Sequence, residues 1–176
     1  MEYTFTLKYQ LVDDDDDRDV DALVESLGEA GCDDALIGIG QPGRLALEFI
    51  READNADAAV RSALADVKRA IPSARLVEAT PDFVGLTDVA EIVGVSRQNM
   101  RKLMLAHPGS FPAAVHEGSA SIWHLAEVLT WLEEKGGYAL ERKMLETARA
   151  ALEVNLAKEV RRLPMAAAKE LQLLVA

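Results

Sequence analysis

The chain of 176 residues is 49% hydrophobic and 28% charged, proportions that are ordinary for a folded globular protein of one or two domains. No stretch approaches the roughly 18 uncharged apolar residues that a membrane span needs, and the first residues lack the basic segment and apolar block of a signal peptide. We therefore expect a cytoplasmic protein with no membrane partner. The formal net charge of −11 excludes a uniformly basic surface.

The acidic charge is concentrated in the N-terminal half of the chain. Residues 1–83 hold 19 of the 30 acidic residues and 8 of the 19 basic residues, whereas residues 136–176 hold 7 basic and 5 acidic residues. Because nucleic acid binds a local positive surface, the net charge of the whole chain does not exclude DNA as a partner. The single Cys32 cannot form an internal disulfide, which fits a reducing compartment, and a buried apolar role is favoured for it.

The chain begins with a strand pattern and continues with a helix pattern. Residues 3–11 alternate apolar and polar side chains, which predicts a strand with one buried face. Five aspartates at residues 13–17 follow, and a solvated charge run is favoured over a metal site because adjacent residues rarely converge on one ion. Residues 20–27 then place apolar side chains at helical spacing.

Two further apolar runs, at residues 35–39 and 45–50, are separated by a predicted tight turn. Pro42 followed by Gly43 suits the two central positions of a type II turn, so the two runs predict a hairpin. Residues 38–43 also match the GxGxxG dinucleotide fingerprint. That mechanism needs a helix directly after the glycines, and the sequence there predicts a strand instead.

A second helix and a last short strand complete the N-terminal pattern. Apolar residues from Val60 to Ile71 lie at helical spacing, with Asp54 or Asn55 as the helix cap, and residues 75–79 predict a strand. The order βαββαβ predicts a ferredoxin-like α+β domain over residues 1–83, with a sensing or partner-binding role. This fold hosts many unrelated functions, so it does not by itself predict an activity.

Two short helices joined by a turn are predicted after residue 85. Thr87 is the predicted cap of the first helix, and Gly94 ends that helix in a left-handed conformation. Ser96 is the predicted cap of the second helix, which covers residues 96–105. Met100 and Leu103 are expected to face inward, and the outward set is Arg97, Gln98, Asn99, Arg101 and Lys102.

The outward set is chemically suited to reading DNA. Arginine can contact guanine with two hydrogen bonds, glutamine or asparagine can contact adenine in the same way, and lysine can neutralise a phosphate. Thr87 and Ser96, with the backbone amides at the start of the second helix, are candidate phosphate contacts. The alternative is an ordinary helical hairpin whose polar face is only solvated.

The residues that follow favour the DNA-binding interpretation. Extended runs at 111–116 and 121–123 flank a polar turn, which predicts a hairpin, and a further apolar helix pattern ends near residue 135. From residue 86 to 135 the chain resembles the winged helix-turn-helix of the MerR superfamily, especially its small AlpA and excisionase-like members. The shared features are the two helices, Phe111-Pro112 entering the wing, Trp123 on the return strand, and the closing helix.

This resemblance implies a transcription regulator that acts as a homodimer and places residues 96–105 in the major groove of double-stranded DNA. The DNA-binding domain would cover residues 84–137. Wings of such proteins usually carry arginine or lysine, whereas this wing offers His116 and Ser119 as its candidate DNA contacts, beside Glu117. The alternative is that the wing only packs against the domain.

The C-terminal segment, residues 138–176, is predicted to be helical. Residues 139–163 form one long helix pattern that Pro164 interrupts, and an apolar-rich helix follows. The predicted apolar stripe of the long helix must pack against the chain's own N-terminal domain or against a second chain, and dimerisation is favoured. The stripe consists of Leu145, Ala148, Leu152, Leu156 and Val160.

The predicted function is therefore a dimeric, sequence-specific DNA-binding regulator. An alternative is an antitoxin or immunity-like protein that binds a partner protein, through the N-terminal domain or the C-terminal helix, and regulates its own operon. No nucleophile paired with a base, no catalytic carboxylate pair and no phosphate loop is evident, so we expect neither an enzyme nor a cofactor. No Cys/His cluster has the spacing of metal ligands.

Overall fold

The computed structural model describes residues 1–11 and 19–175, so the predicted acidic run at residues 13–17 lies outside the described residues. The described chain is a mixed α+β structure with seven helices and two antiparallel sheets. Its helices are α1 (Val20–Glu29), α2 (Ala56–Ala70), α3 (Leu86–Val93), α4 (Arg97–Ala106), α5 (Leu125–Lys135), α6 (Arg142–Val160) and α7 (Met165–Leu174). Its strands are β1 (Glu2–Gln10), β2 (Ala35–Gly38), β3 (Arg44–Glu52), β4 (Arg75–Thr80), β5 (Phe83–Val84), β6 (His116–Glu117) and β7 (Ser121–His124).

The first sheet has four strands in the order β2-β3-β1-β4, and every neighbouring pair is antiparallel. The predicted βαββαβ order of elements is confirmed over this region. The alternation predicted for β1 is also confirmed, because its odd-numbered residues Tyr3, Phe5, Leu7 and Tyr9 are all buried. They form one core with apolar residues of α1 and α2, while the opposite face of the sheet is largely exposed.

The predicted hairpin between β2 and β3 is confirmed. The backbone N–H of Arg44 donates to the carbonyl of Gln41 at 2.9 Å, and Gly43 adopts a φ of 72°, which a type II turn requires at this position. The glycine-rich segment therefore runs into strand β3, and not into a helix. A phosphate bound there would lack the helix N-terminus that the dinucleotide fingerprint needs.

Local predictions at two other sites are also confirmed. Asn55, and not Asp54, is the N-cap of α2, and its side chain accepts a hydrogen bond from the Ala58 N–H at 2.8 Å. Cys32 is buried with 2% exposure. Burial in an apolar core raises the pKa of the Cys32 thiol to about 11, so this cysteine is protonated at neutral pH.

The long C-terminal helix α6 differs from the prediction in length and in its buried face. It covers Arg142–Val160, and the predicted stripe residues Leu156 and Val160 are 51% and 49% exposed. Two small residues, Ala150 and Ala151, are buried against the core of the first sheet instead. Leu145 and Ala148 pack into a second core, formed with α3, α4 and α5. Helix α6 therefore packs against both cores of its own chain. The sequence had favoured packing against a second chain.

A buried polar cluster, which we call the junction cluster, joins the two halves of the protein. It consists of Asp82, His124 and Asn155, which are 0%, 9% and 2% exposed. One carboxylate oxygen of Asp82 lies 2.7 Å from His124 Nδ1, and the other accepts a hydrogen bond from the Asn155 amide at 2.7 Å. The Asn155 amide also bonds both the N–H and the carbonyl of Ala79 in β4.

Helix α6 thereby covers the free edge of strand β4. Asn155 satisfies the backbone of Ala79, and Lys158, one turn later, donates to the carbonyl of Val77. Unpaired strand edges are sites of unwanted strand addition, so a helix with polar side chains at this edge protects it. No described helix is long and apolar enough to cross a membrane.

Candidate nucleic-acid interface

The candidate interface begins at helix α3, whose start differs from the prediction. Gly85 is the N-cap, and Thr87 lies inside the first turn with an exposed side chain. The Asp88 carboxylate accepts a hydrogen bond from the Gly85 N–H at 2.7 Å, which stabilises the earlier start. The prediction of Thr87 as a cap was therefore wrong, because Gly85 takes the cap position and the Asp88 carboxylate accepts a hydrogen bond from its N–H.

The turn between α3 and α4 has the predicted conformation. Gly94 has φ 75° and ψ 32°, the left-handed region that ends a helix at low cost only when the residue is glycine. The N–H of Val95 donates to the carbonyl of Ala90 at 2.9 Å, and Val95 packs against the second core. Ser96 is the N-cap of α4, and its hydroxyl accepts from the Asn99 N–H at 3.1 Å.

Helix α4 turns its polar face outward. Met100 is 1% exposed, and Leu103 and Met104 pack beside it in the second core. At 100° per residue, Gln98 and Lys102 each lie about 160° around the helix from Met100, so they are the most outward of the predicted set. All five predicted side chains of α4 are exposed: Arg97, Gln98, Asn99, Arg101 and Lys102.

The exposed face of α4 is positively charged. The helix contains three cations and no acidic residue, and Arg97, Arg101 and Lys102 form no ion pair with any described residue. Leu105 is 60% exposed on the same outward face, about two turns after Gln98, and it was not among the residues predicted from the sequence. An exposed apolar side chain among cations suits contact with a thymine methyl group. The spacing of seven residues from Gln98 was the signal that could have identified it.

The hairpin β6-β7 follows α4 and carries no cation. No Lys or Arg occurs between residues 103 and 134. His116 and Ser119 are exposed at the hairpin, as the predicted wing contacts require. The His116 ring lies over Gly118, where a β-carbon would come within 2.7 Å of its Nε2 atom, so the small residue leaves room for the imidazole. The strand at this position is limited to His116–Glu117, shorter than the predicted run from residue 111.

An aromatic cluster holds the loop between α4 and the hairpin. The Phe111 ring packs edge-on against Trp123 and Trp131, and the Trp123 indole donates to the carbonyl of Pro112 at 3.1 Å. Lys135 lies over Trp131, with its Nζ 2.8 Å from Nε2 of His107, the residue at the end of α4. Lys135, the next Lys or Arg in the chain after Lys102, therefore lies near the end of α4. The sequence alone did not predict that it would lie there.

His124 is not part of the exposed wing. It is buried in the junction cluster, and its ring lies 5.1 Å from that of Phe83. Strand β5, which contains Phe83 and was not predicted, pairs with β7 and extends the hairpin into a three-stranded sheet. Within residues 1–11 and 19–175, no group of three or more His, Cys, Asp or Glu side chains is arranged to hold a metal ion.

Comparison with known proteins gives one match, and it covers this region. No curated protein and no solved structure matches the chain significantly. Residues 82–136 match the family described as Prophage CP4-57 regulatory protein (AlpA), which includes α3, α4, the hairpin and α5. This is a prophage regulatory family that binds DNA, and the match suggests that the chain is a regulatory DNA-binding protein.

Proposed function

We propose that the chain is a sequence-specific DNA-binding transcription regulator, with residues 84–137 as a winged helix-turn-helix and α4 as its recognition helix. The observation that carries the proposal is the outward face of α4, where cations without ion-pair partners stand beside amide side chains on a helix anchored by Met100. The family match at residues 82–136 supports the same assignment. A relationship to the wider MerR superfamily stays a prediction from resemblance.

In the proposed complex, α4 lies in the major groove. Gln98 and Arg101 contact base edges, because amide and guanidinium groups can each form two hydrogen bonds with one base. Lys102, Arg97 and the α4 N-terminus at Ser96 contact phosphates. The remaining predicted contacts are peripheral: Asn99 at the edge of the groove, Thr87 on α3, and His116 and Ser119 in the wing.

We expect Gln98→Ala and Arg101→Ala each to weaken binding to the cognate site by about 1–3 kcal/mol, because each removes base-edge hydrogen bonds. The site is first selected from random duplexes with the full chain. Affinities for the selected duplex and a scrambled duplex are then measured by fluorescence anisotropy at fixed salt, since both depend on ionic strength.

The matched control is Arg44→Ala, which removes an exposed arginine of β3, outside the proposed interface. Its affinity should equal that of the unmodified chain. Unchanged affinity in both α4 variants would rule out α4 as the recognition helix. Equal affinity for selected and scrambled duplexes would rule out sequence-specific binding.

We further propose that the regulator is a homodimer and that α7 forms the interface. No residue of α7 is buried, and Met165, Leu173 and Leu174 are 83%, 84% and 75% exposed. A helix of ten residues is marginal in water without a packing partner, and an exposed apolar patch of this kind is typical of an interface. The residues that directly precede α7 include three further exposed apolar side chains, Leu156, Val160 and Leu163.

Deletion of residues 164–176 should convert the dimer into a folded monomer, because it removes exposed apolar surface and none of either core. Light scattering coupled to size exclusion measures the mass, and circular dichroism measures the retained structure. Leu171→Glu with Leu174→Glu is the matched full-length variant, and we expect the same monomer. A truncated chain that remains dimeric would place the interface elsewhere.

The protein-partner alternative predicts a different result. If α7 binds another protein, as in an antitoxin or immunity-like role, the full chain alone is monomeric and the truncated chain is monomeric as well. In either case we propose a cytoplasmic protein that binds DNA and uses neither a cofactor nor catalysis. The N-terminal domain, residues 1–83, we assign to the ferredoxin-like fold, which its strand order β2-β3-β1-β4 supports.

A further inference from the structure

A cleft of about 820 Å³ lies between the N-terminal domain and helix α6. Its walls come from α2, the start of β4 and the C-terminal half of α6. Small-molecule sites commonly have volumes of roughly 300–1,000 Å³, so the cleft is large enough for one. None of the residues proposed to contact DNA lines it.

The floor of the cleft is apolar. Ile71 is 5% exposed, and Leu64, Leu76 and Val154 are partly buried against the core of the first sheet. Ala157 is the exposed small residue of α6 in the wall. An apolar body placed in the cleft would remove these side chains from water, at roughly 25 cal/mol for each Å² covered.

The rim of the cleft is strongly basic in a chain whose net charge is −11. Among the described residues, Glu153 is the one acidic residue in the lining. The lining contains six cationic residues: Arg61, Lys68, Arg75, Lys158, Arg161 and Arg162. Because the described lining carries more positive than negative charge, it raises the concentration of anions at the cleft.

Two of the six cations form neither an ion pair nor a side-chain hydrogen bond with the described residues, since Lys68 donates to the carbonyl of Pro72 at 3.4 Å. Arg61, Lys158 and Arg162 already pair with carboxylates, at 2.6, 3.1 and 3.0 Å. Arg75, at the start of β4, and Arg161, at the end of α6, form no ion pair with the described residues. A guanidinium group binds a carboxylate with two parallel hydrogen bonds, so these two arginines suit an anionic head group.

We propose that this cleft binds an amphipathic small-molecule anion. Its head group pairs with Arg75 and Arg161, and its apolar body covers Leu64, Leu76 and Val154. Nucleic acid fits less well, because a phosphate backbone would leave the apolar floor uncovered. Val154 directly precedes Asn155 of the junction cluster, so the ligand contacts the helix that joins the two cores. Binding of such an anion in the cleft does not require that the chain binds DNA.

The test uses three probes with the same ten-carbon chain and different head groups: decanoate, 1-decanol and decyltrimethylammonium, each below its aggregation concentration. Titration calorimetry with the full chain should give saturable binding of one decanoate per chain, at least about tenfold tighter than either of the other probes. The charge-reversed double variant Arg75→Glu/Arg161→Glu should bind decanoate about tenfold more weakly. Lys143→Glu, an exposed cation of α6 outside the cleft, is the matched control and should bind normally.

A second variant, Ala157→Trp, fills the cleft without changing its charge and should also weaken decanoate binding. Equal affinity for all three probes, or no saturable decanoate binding, would overturn the proposal. Decanoate binding that survives both the double reversal and Ala157→Trp would place the probe elsewhere, for example on α7, and would overturn it as well. If decanoate fails to bind and the double reversal weakens DNA binding, the cations belong to a nucleic-acid surface and the proposal is wrong.

Discussion

Asp82→Ala should lower the free energy of unfolding by about 3–5 kcal/mol, the range for removing one partner of a buried ionisable pair. Asp82 is fully buried, and each of its carboxylate oxygens lies 2.7 Å from a different partner, His124 or Asn155. The substitution leaves a buried imidazole and a buried amide without that partner, and burial of an unsatisfied polar group is costly. It also removes volume from the boundary between the two cores.

Spectroscopic probes of either half of the protein should detect the lower free energy of unfolding, because the junction cluster connects the two halves. Trp123 and Trp131 are the only tryptophans and both lie in the C-terminal half, so fluorescence follows that half during urea unfolding, while circular dichroism follows the whole chain. Glu91→Ala, at an exposed position of α3, is the matched control and should cost less than about 0.5 kcal/mol. A loss below about 1 kcal/mol for Asp82→Ala would contradict a structural role for the cluster.

Arg51→Ala should also be destabilising by about 3–5 kcal/mol. Arg51 is 7% exposed in β3, where it bonds both carboxylate oxygens of Asp34 at 2.8 and 2.9 Å and one of Asp66 at 2.7 Å. Hydrogen bonds to Asp34 are the largest cause that holds the pKa of Arg51 above its usual range, with a further contribution from Asp66. Without the guanidinium group, Asp34 would lose its ion-pair partner at a partly buried site, and Asp66 would keep only the exposed Arg69, at 2.8 Å.

The measurement is again urea unfolding, with Arg44→Ala as the control on the same strand. Arg44 is exposed, so its removal should change the free energy of unfolding by less than about 0.5 kcal/mol. Replacing Arg51, Asp34 and Asp66 together by apolar residues should recover much of the loss, because no buried charge then remains unpaired and Arg69, which loses Asp66, is exposed to water. Equal free energies of unfolding for the Arg51 and Arg44 variants would show that the ion pairs of Arg51 do not stabilise the fold.

Several features of this protein could be predicted because their causes lie within a few residues. The alternation of β1 places Tyr3 and Leu7 on one face whatever the rest of the chain does. Gly43 and Gly94 adopt positive φ because the turns at these positions require it. Ser96 caps α4 through its own hydroxyl, and Met100 and Leu103 orient that helix. The candidate DNA-reading face was therefore predictable residue by residue.

The buried face of α6 was not predictable in this way. Periodicity identified a stripe with Leu156 and Val160, yet the buried residues at that end of the helix include Ala151 and Asn155. Small side chains let the helix approach the sheet closely, and Asn155 finds its partners in Ala79 and Asp82, which lie 76 and 73 residues earlier in the chain. No local pattern encodes such distant hydrogen bonds.

The sequence by itself determined the helices and the strands of the first sheet, and which side chains of α4 remain outward, because spacing and turn chemistry act locally. It did not reveal the short strand β5, which exists only through its pairing with β7. Only the tertiary structure decided how the two cores are joined. It buried His124 in the junction cluster, because Asp82 supplies a partner 42 residues away. It also brought Arg75 and Arg161 to one cleft, since two cations far apart in sequence meet only when α6 packs along the edge of β4.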